Sequence, residues 1–116
     1  MPDSNLKVGT KLHIVTRRLF EADLRRHFVG TVTGLFNHCQ EVQGYAFVFQ
    51  PGKNEWQRRP ELRTRIFSLG AAGLIVNVIP PDADVAALKY SVVENRLVVT
   101  DGASFTHDIN EFGISR

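Results

Sequence analysis

The chain is poor in the residues that staple or anchor small proteins. Its 116 residues include one cysteine, Cys39. A lone cysteine excludes an intramolecular disulfide framework and a cysteine-built zinc site. A reducing compartment is the simplest setting for it. No apolar run approaches the ~20 residues that a helix needs to cross a bilayer. Residues 1–10 are polar and lack the apolar stretch of a signal peptide. The expectation is a cytoplasmic protein with no membrane partner. There is no long amphipathic helix, no low-complexity tract and no glycine-rich phosphate loop with its lysine. The histidines, His13, His27, His38 and His107, have no metal-ligand spacing. His107 and Asp108 are adjacent, so a strand would point them apart. Cys39 follows His38, but nothing marks the third group or the oxyanion site that a nucleophile needs. It reads as a partly buried thiol. No catalytic residue, metal or cofactor is expected.

What is present is an ordinary soluble composition, 43% apolar and 22% charged, in a chain of one-domain length. The net charge of +2 hides an asymmetry. Residues 11–65 carry ten Lys/Arg against five acids, whereas residues 66–116 carry three against six. Ten of the fourteen bases are arginine, whose planar fork suits phosphate or carboxylate partners. Arginines also serve as interface and edge-strand charges, so both uses stay open. The arginines cluster first in Arg17-Arg18-Leu19-Phe20-Glu21-Ala22-Asp23-Leu24-Arg25-Arg26-His27-Phe28, where two Arg-Arg units flank two acids.

The pattern along the chain is that of strands. Lys11 to Phe20 is rich in Leu, Ile, Val and Thr. From Arg26 to Phe36 the alternation sets Phe28, Gly30, Val32, Gly34 and Phe36 on one face. Two glycines on one face of a strand predict a sharp bend or a close backbone approach, as a small closed barrel requires. Glu41 to Gln50 sets Tyr45, Phe47 and Phe49 opposite Ala46 and Val48. Pro51-Gly52-Lys53-Asn54 is a turn, and Glu55 to Arg59 extends that hairpin until Pro60. Arg63 to Leu69 reads as a strand, and Leu74 to Ile79 as a short strand buried on both faces. Asp82 is placed to cap a short helical stretch through Lys89. Lys89 to Val93 and Arg96 to Thr100 form a hairpin about Glu94-Asn95. Phe105 to Ile109 is a last short strand. The fold class expected is all-β: a strongly bent, five-stranded small barrel over residues 11–80, with a β-meander extension over residues 81–116, together one domain.

Phe28-Val29-Gly30-Thr31-Val32-Thr33-Gly34-Leu35-Phe36-Asn37-His38 resembles the first motif of the Sm-like small barrels, the fold of Sm proteins and bacterial host-factor RNA chaperones. Leu74-Ile75-Val76-Asn77-Val78-Ile79, preceded by Gly70, is similar to the end of the second motif. The resemblance implies a bent five-stranded sheet and a ring-shaped homo-oligomer built by strand-edge pairing. It also implies RNA contacts from the loops after strands two and four, which singles out Phe36, Asn37 and His38. The chain departs from the pattern at Ala71-Ala72-Gly73, where the family carries an Arg-Gly or Lys-His pair. It departs again at Asn37, where an acid is usual, and in the tail after Pro80.

Trp56 stands among charges, in Lys53-Asn54-Glu55-Trp56-Gln57-Arg58-Arg59. Three roles are open to it: stacking a nucleic-acid base, anchoring a protein interface, or capping the barrel end. The functional reading is therefore a non-catalytic barrel module that self-associates into a homo-oligomer. Its alternatives are an RNA or single-stranded nucleic-acid binder and a small-ligand protein with a pocket at the barrel mouth. The candidate contact residues are Arg17, Arg18, Arg25, Arg26, Phe36, Asn37, His38, Trp56, Arg58 and Arg59.

Overall fold

The structure, a computed structural model, describes residues 6–16, 26–50, 52–53, 55–70, 73–94, 96–103 and 105–108. It is all-β, with antiparallel sheets and no α-helix among the described residues. Two compact units divide the chain, Met1–Pro81 and Asp82–Arg116.

The first unit is one six-stranded sheet. Its strands are β1 (Lys11–Thr16), β2 (Arg26–Leu35), β3 (Gln40–Gln50), β4 (Glu55–Arg58), β5 (Arg63–Phe67) and β6 (Leu74–Ile79). The order is β4-β3-β2-β1-β6, with β5 also on β3. At eleven residues, β3 is long enough to pair twice along one edge. Its Phe47–Gln50 end meets β4 and its Gln40–Gly44 end meets β5. These pairings do not close into a barrel. Among the described residues β6 pairs with β1 alone, and β4 and β5 pair with β3 alone.

The sheet is nevertheless curled, and glycine is the reason. Gly30 on β2 faces Gly44 on β3. A Cβ on Gly44 would run into the Val29 carbonyl and lie 2.5 Å from the Gly30 Cα. A Cβ on Gly30 would lie 2.6 Å from the Gln43 carbonyl oxygen. Only two bare Cα atoms let the backbones approach this closely. The bend expected at Gly30 is therefore present, with Gly44 as its partner. Gly34 differs: its added Cβ would meet only ordinary contacts at 3.4 Å, beside a register shift between Val32 and Gly34.

Curling buries one face around Leu12, Ile14, Phe28, Val32, Val42 and Ala46. Phe67 and Leu69, together with Leu74 and Val76 of β6, pack on that core. Phe67 reaches across β3 to Phe28, ring centroids 5.4 Å apart. The opposite face carries His13, Val29 and Phe47, also buried. Each buried Leu, Ile, Val or Phe among them contributes ~1.5–3 kcal/mol relative to exposure.

β6 corrects an expectation. It is not buried on both faces: it lies at the sheet edge, Leu74 to Asn77 are half-buried, and Val78 is 70% exposed. A continuous apolar run suits an internal parallel strand, but here one flank lacks a neighbour among the described residues.

The second unit is the expected meander, β7 (Lys89–Val93), β8 (Arg96–Thr100) and β9 (Thr106–Asp108), in the order β7-β8-β9. The helical stretch expected over 82–89 is a single 3₁₀ turn, Val85–Ala87. Asp84, not Asp82, caps it, its Oδ1 accepting from the Ala86 N–H at 3.1 Å. One turn is too short to offset helix nucleation, and the chain passes directly into β7. At the β7–β8 turn Glu94 takes the left-handed conformation, φ 51°; Asn95 lies outside the described residues.

Candidate functional site

The arginines sort by strand position. Arg17, Arg18 and Arg25 lie outside the described residues, as do Leu19, Phe20 and Leu24. Arg26 opens β2 with its side chain exposed. Arg59 follows β4, its N–H donating to the Ala46 carbonyl at 2.8 Å. Arg63 and Arg65 alternate on β5, opposite Gly44 and Val42 of β3. They share a sheet face with those core-side positions.

These four residues line one open cleft of about 320 Å³. Thr16, Phe28, Ala46, Val48 and Phe67 complete its wall with His27. The curl makes the cleft, because it carries β5 over the end of β2. Arg65 consequently sits over the Phe28 ring, 5.7 Å from its centroid. No acid is among the lining residues that the structure describes. Glu61 stands at the rim, its Oε1 3.9 Å from Arg59 Nε and 3.8 Å from an Arg63 terminal nitrogen. Both pairs are half exposed, where such contacts contribute ~0–1 kcal/mol.

Trp56 and Arg58 go elsewhere. β4 pairs Trp56 with Phe49 and Arg58 with Phe47, on the face opposite the apolar core. Trp56 stacks on His27 with centroids 4.2 Å apart and meets Phe49 edge-on at 5.6 Å. The Arg58 guanidinium carbon lies 4.1 Å from the centre of the Tyr45 ring, a cation–π contact. The same face holds His13, whose Nδ1 accepts from the Asn77 amide at 3.2 Å. The ring of His27 meets His13 at 5.5 Å. Trp56 is thus built into a row of side chains across the sheet.

Phe36, Asn37 and His38 form an exposed turn at the opposite end of β2 from the cleft. The turn is closed by the Phe36 N–H donating to the Cys39 carbonyl at 2.9 Å. Cys39 itself is half-buried. The structure thus brings Arg26 and Arg59 together and separates them from Trp56, Arg58 and the Phe36–His38 turn. It adds Arg63 and Arg65, which the sequence reading counted as charges without placing in the site. Their signal was legible: Arg63, Arg65 and Phe67 recur every second residue, which puts them on one face.

No cluster of three or more metal-ligating side chains occurs among the described residues. None of the described helices is long and apolar enough to cross a membrane. Comparison with known proteins gave no matching family model, no matching curated protein and no matching solved structure.

Proposed function

We propose that this protein is a non-catalytic β module that self-associates, the outer edge of β5 in one copy pairing with the outer edge of β6 in the next. The observation that carries the reading is a pair of edges, on one curled sheet, that no strand covers among the described residues. Unpaired strand edges are templates for another strand, and proteins blunt them with charge, proline or cover. β6, Leu-Ile-Val-Asn-Val-Ile, holds no charge and no proline. Each edge also exposes a large apolar side chain, Val78 at 70% and Ile66 at 64%. Pairing of unlike edges is head-to-tail, so it closes into a ring or grows into a filament. In this reading β1, β2, β3, β5 and β6 are the five strands of an Sm-like barrel, with β4 an added hairpin arm. The Gly30–Gly44 bend and the Phe28–Phe67 contact support that curvature.

Native mass spectrometry and light scattering across a concentration series test the proposal. A single multimeric species that persists on dilution is expected. A monomer at the highest soluble concentration overturns it.

A further inference from the structure

We infer that the arginine-rimmed cleft of the first unit binds a nucleotide phosphate, taken as a free nucleotide or as one nucleotide of a single strand. This inference does not depend on assembly. Charge is the first argument. Arg26, Arg59, Arg63 and Arg65 come from three separate segments to one opening, and Glu61 is the acid paired with two of them. Like charges gathered on one concave surface raise its potential and favour a multiply charged anion. Guanidinium forks match carboxylate and phosphate oxygens alike, so it is the gathering of four arginines at one opening that favours a multiply charged phosphate over a single carboxylate.

The walls are the second argument. An inorganic ion needs no apolar surface, yet Phe28, Ala46, Val48 and Phe67 lie between the arginines. Phe28 and Ala46 are buried in the core at 3% and 8% exposure, so the half-buried Phe67 and Val48 are the apolar surface against which a base or sugar would pack. The volume, about 320 Å³, is at the small end of ligand sites, which run from about 300 to 1,000 Å³. The cleft therefore suits one nucleotide unit at a time. It is also distinct from the Phe36–His38 turn that the Sm-like resemblance points to.

Calorimetric titration at low salt with adenosine monophosphate, a short oligoadenylate and inorganic phosphate tests the site. The nucleotide probes are expected to bind at least about tenfold more tightly than inorganic phosphate, as a stacked base adds ~1–3 kcal/mol. Arg63→Ala and Arg65→Ala should each weaken that binding about tenfold. Lys53→Ala, in the β3–β4 turn, should leave it unchanged. Equal affinity per nucleotide for the monomer and the oligomer identifies a free-nucleotide site. A tighter oligomer with a log–log salt slope of about −2 to −3, at ~0.7 per phosphate neutralised, identifies a strand site. Amide shifts in the unsubstituted protein provide a check independent of variants. They should concentrate at Thr16, Arg26 to Phe28, Ala46 and Val48. Absence of nucleotide binding at low salt, binding no tighter than inorganic phosphate, insensitivity to both arginine substitutions, or amide shifts confined elsewhere overturns the inference. So does a change of oligomeric state in Arg63→Ala with no nucleotide bound, which would assign the arginines to a neighbouring copy.

Discussion

At the scale of single residues, the positions with least tolerance are those where the backbones touch. Gly44→Ala sets a methyl group against the Val29 carbonyl and the Gly30 Cα, with no flexible side chain to give way. A loss of about 3 kcal/mol is expected, the upper range for overpacking. Gly52→Ala meets nothing within 4 Å and should stay within about 0.5 kcal/mol of the parent; urea denaturation compares the two. The sequence showed the bend at Gly30 because alternation placed that glycine on the core face. It did not show Gly44, because a clash between two strands depends on register, which no single strand records. Tyr90 makes a pH prediction. Burial pushes its phenol well above the ordinary value of 10.0. The folded state therefore favours the neutral form. Stability is fully present below that ordinary value and falls as pH rises above it, where the unfolded chain ionises first. The urea midpoint should drop above about pH 10, and Tyr90→Phe should flatten that drop.

At the scale of elements, one carboxylate gathers backbone donors at the β8–β9 turn. Asp101 Oδ1 accepts from the N–H groups of Ala103 and Phe105 at 2.9 and 3.0 Å, and its Oδ2 from that of Asp84 at 3.3 Å. The Ala103 and then the Phe105 hydrogen bonds hold its pKa below the ordinary carboxylate value. A lowered pKa contributes stability above the unfolded value and loses it as pH falls through the folded one. Acid below the ordinary value of 3.8 should accordingly loosen this turn, seen as lower amide protection factors at Ala103 and Phe105. Asp101→Asn should exchange fast at neutral pH as well. Most strands were legible from alternation, and β2, β3, β7 and β8 begin or end within a residue of their expected limits. Burial was harder to read. β6 has the apolar run of an internal strand, yet its place in the sheet order, which sets its burial, is a property of the assembled sheet. The cleft was half legible. Arg26 and Arg59 stood out as members of Arg-Arg pairs. Trp56 and Arg58 looked equally available, and only the pairing of β4 with β3 assigns them to the opposite face.

At the scale of the whole molecule, the open edges make association testable by charge. Ile66→Glu on β5 and Val78→Glu on β6 each place a carboxylate on an edge strand, at side chains already exposed. Each should weaken association by about 1–3 kcal/mol, as inward or edge charges do against strand pairing. The melting temperature of the dissociated protein should hardly change in Val78→Glu, whose side chain lies outside the apolar core, and should fall slightly in Ile66→Glu, which faces Glu41 of β3. Analytical ultracentrifugation reads both variants; unchanged association in both would count against the edge-pairing reading. The division of the chain after Pro81 has a practical consequence of its own. The sign of charge changes between the two units: residues 1–81 carry eleven bases and six acids, residues 82–116 three bases and six acids. The isoelectric point of about 9.0 therefore describes neither unit. At neutral pH the protein should be held by a cation exchanger, as its net charge requires. It should also be retarded on an anion exchanger that its isoelectric point says it should ignore.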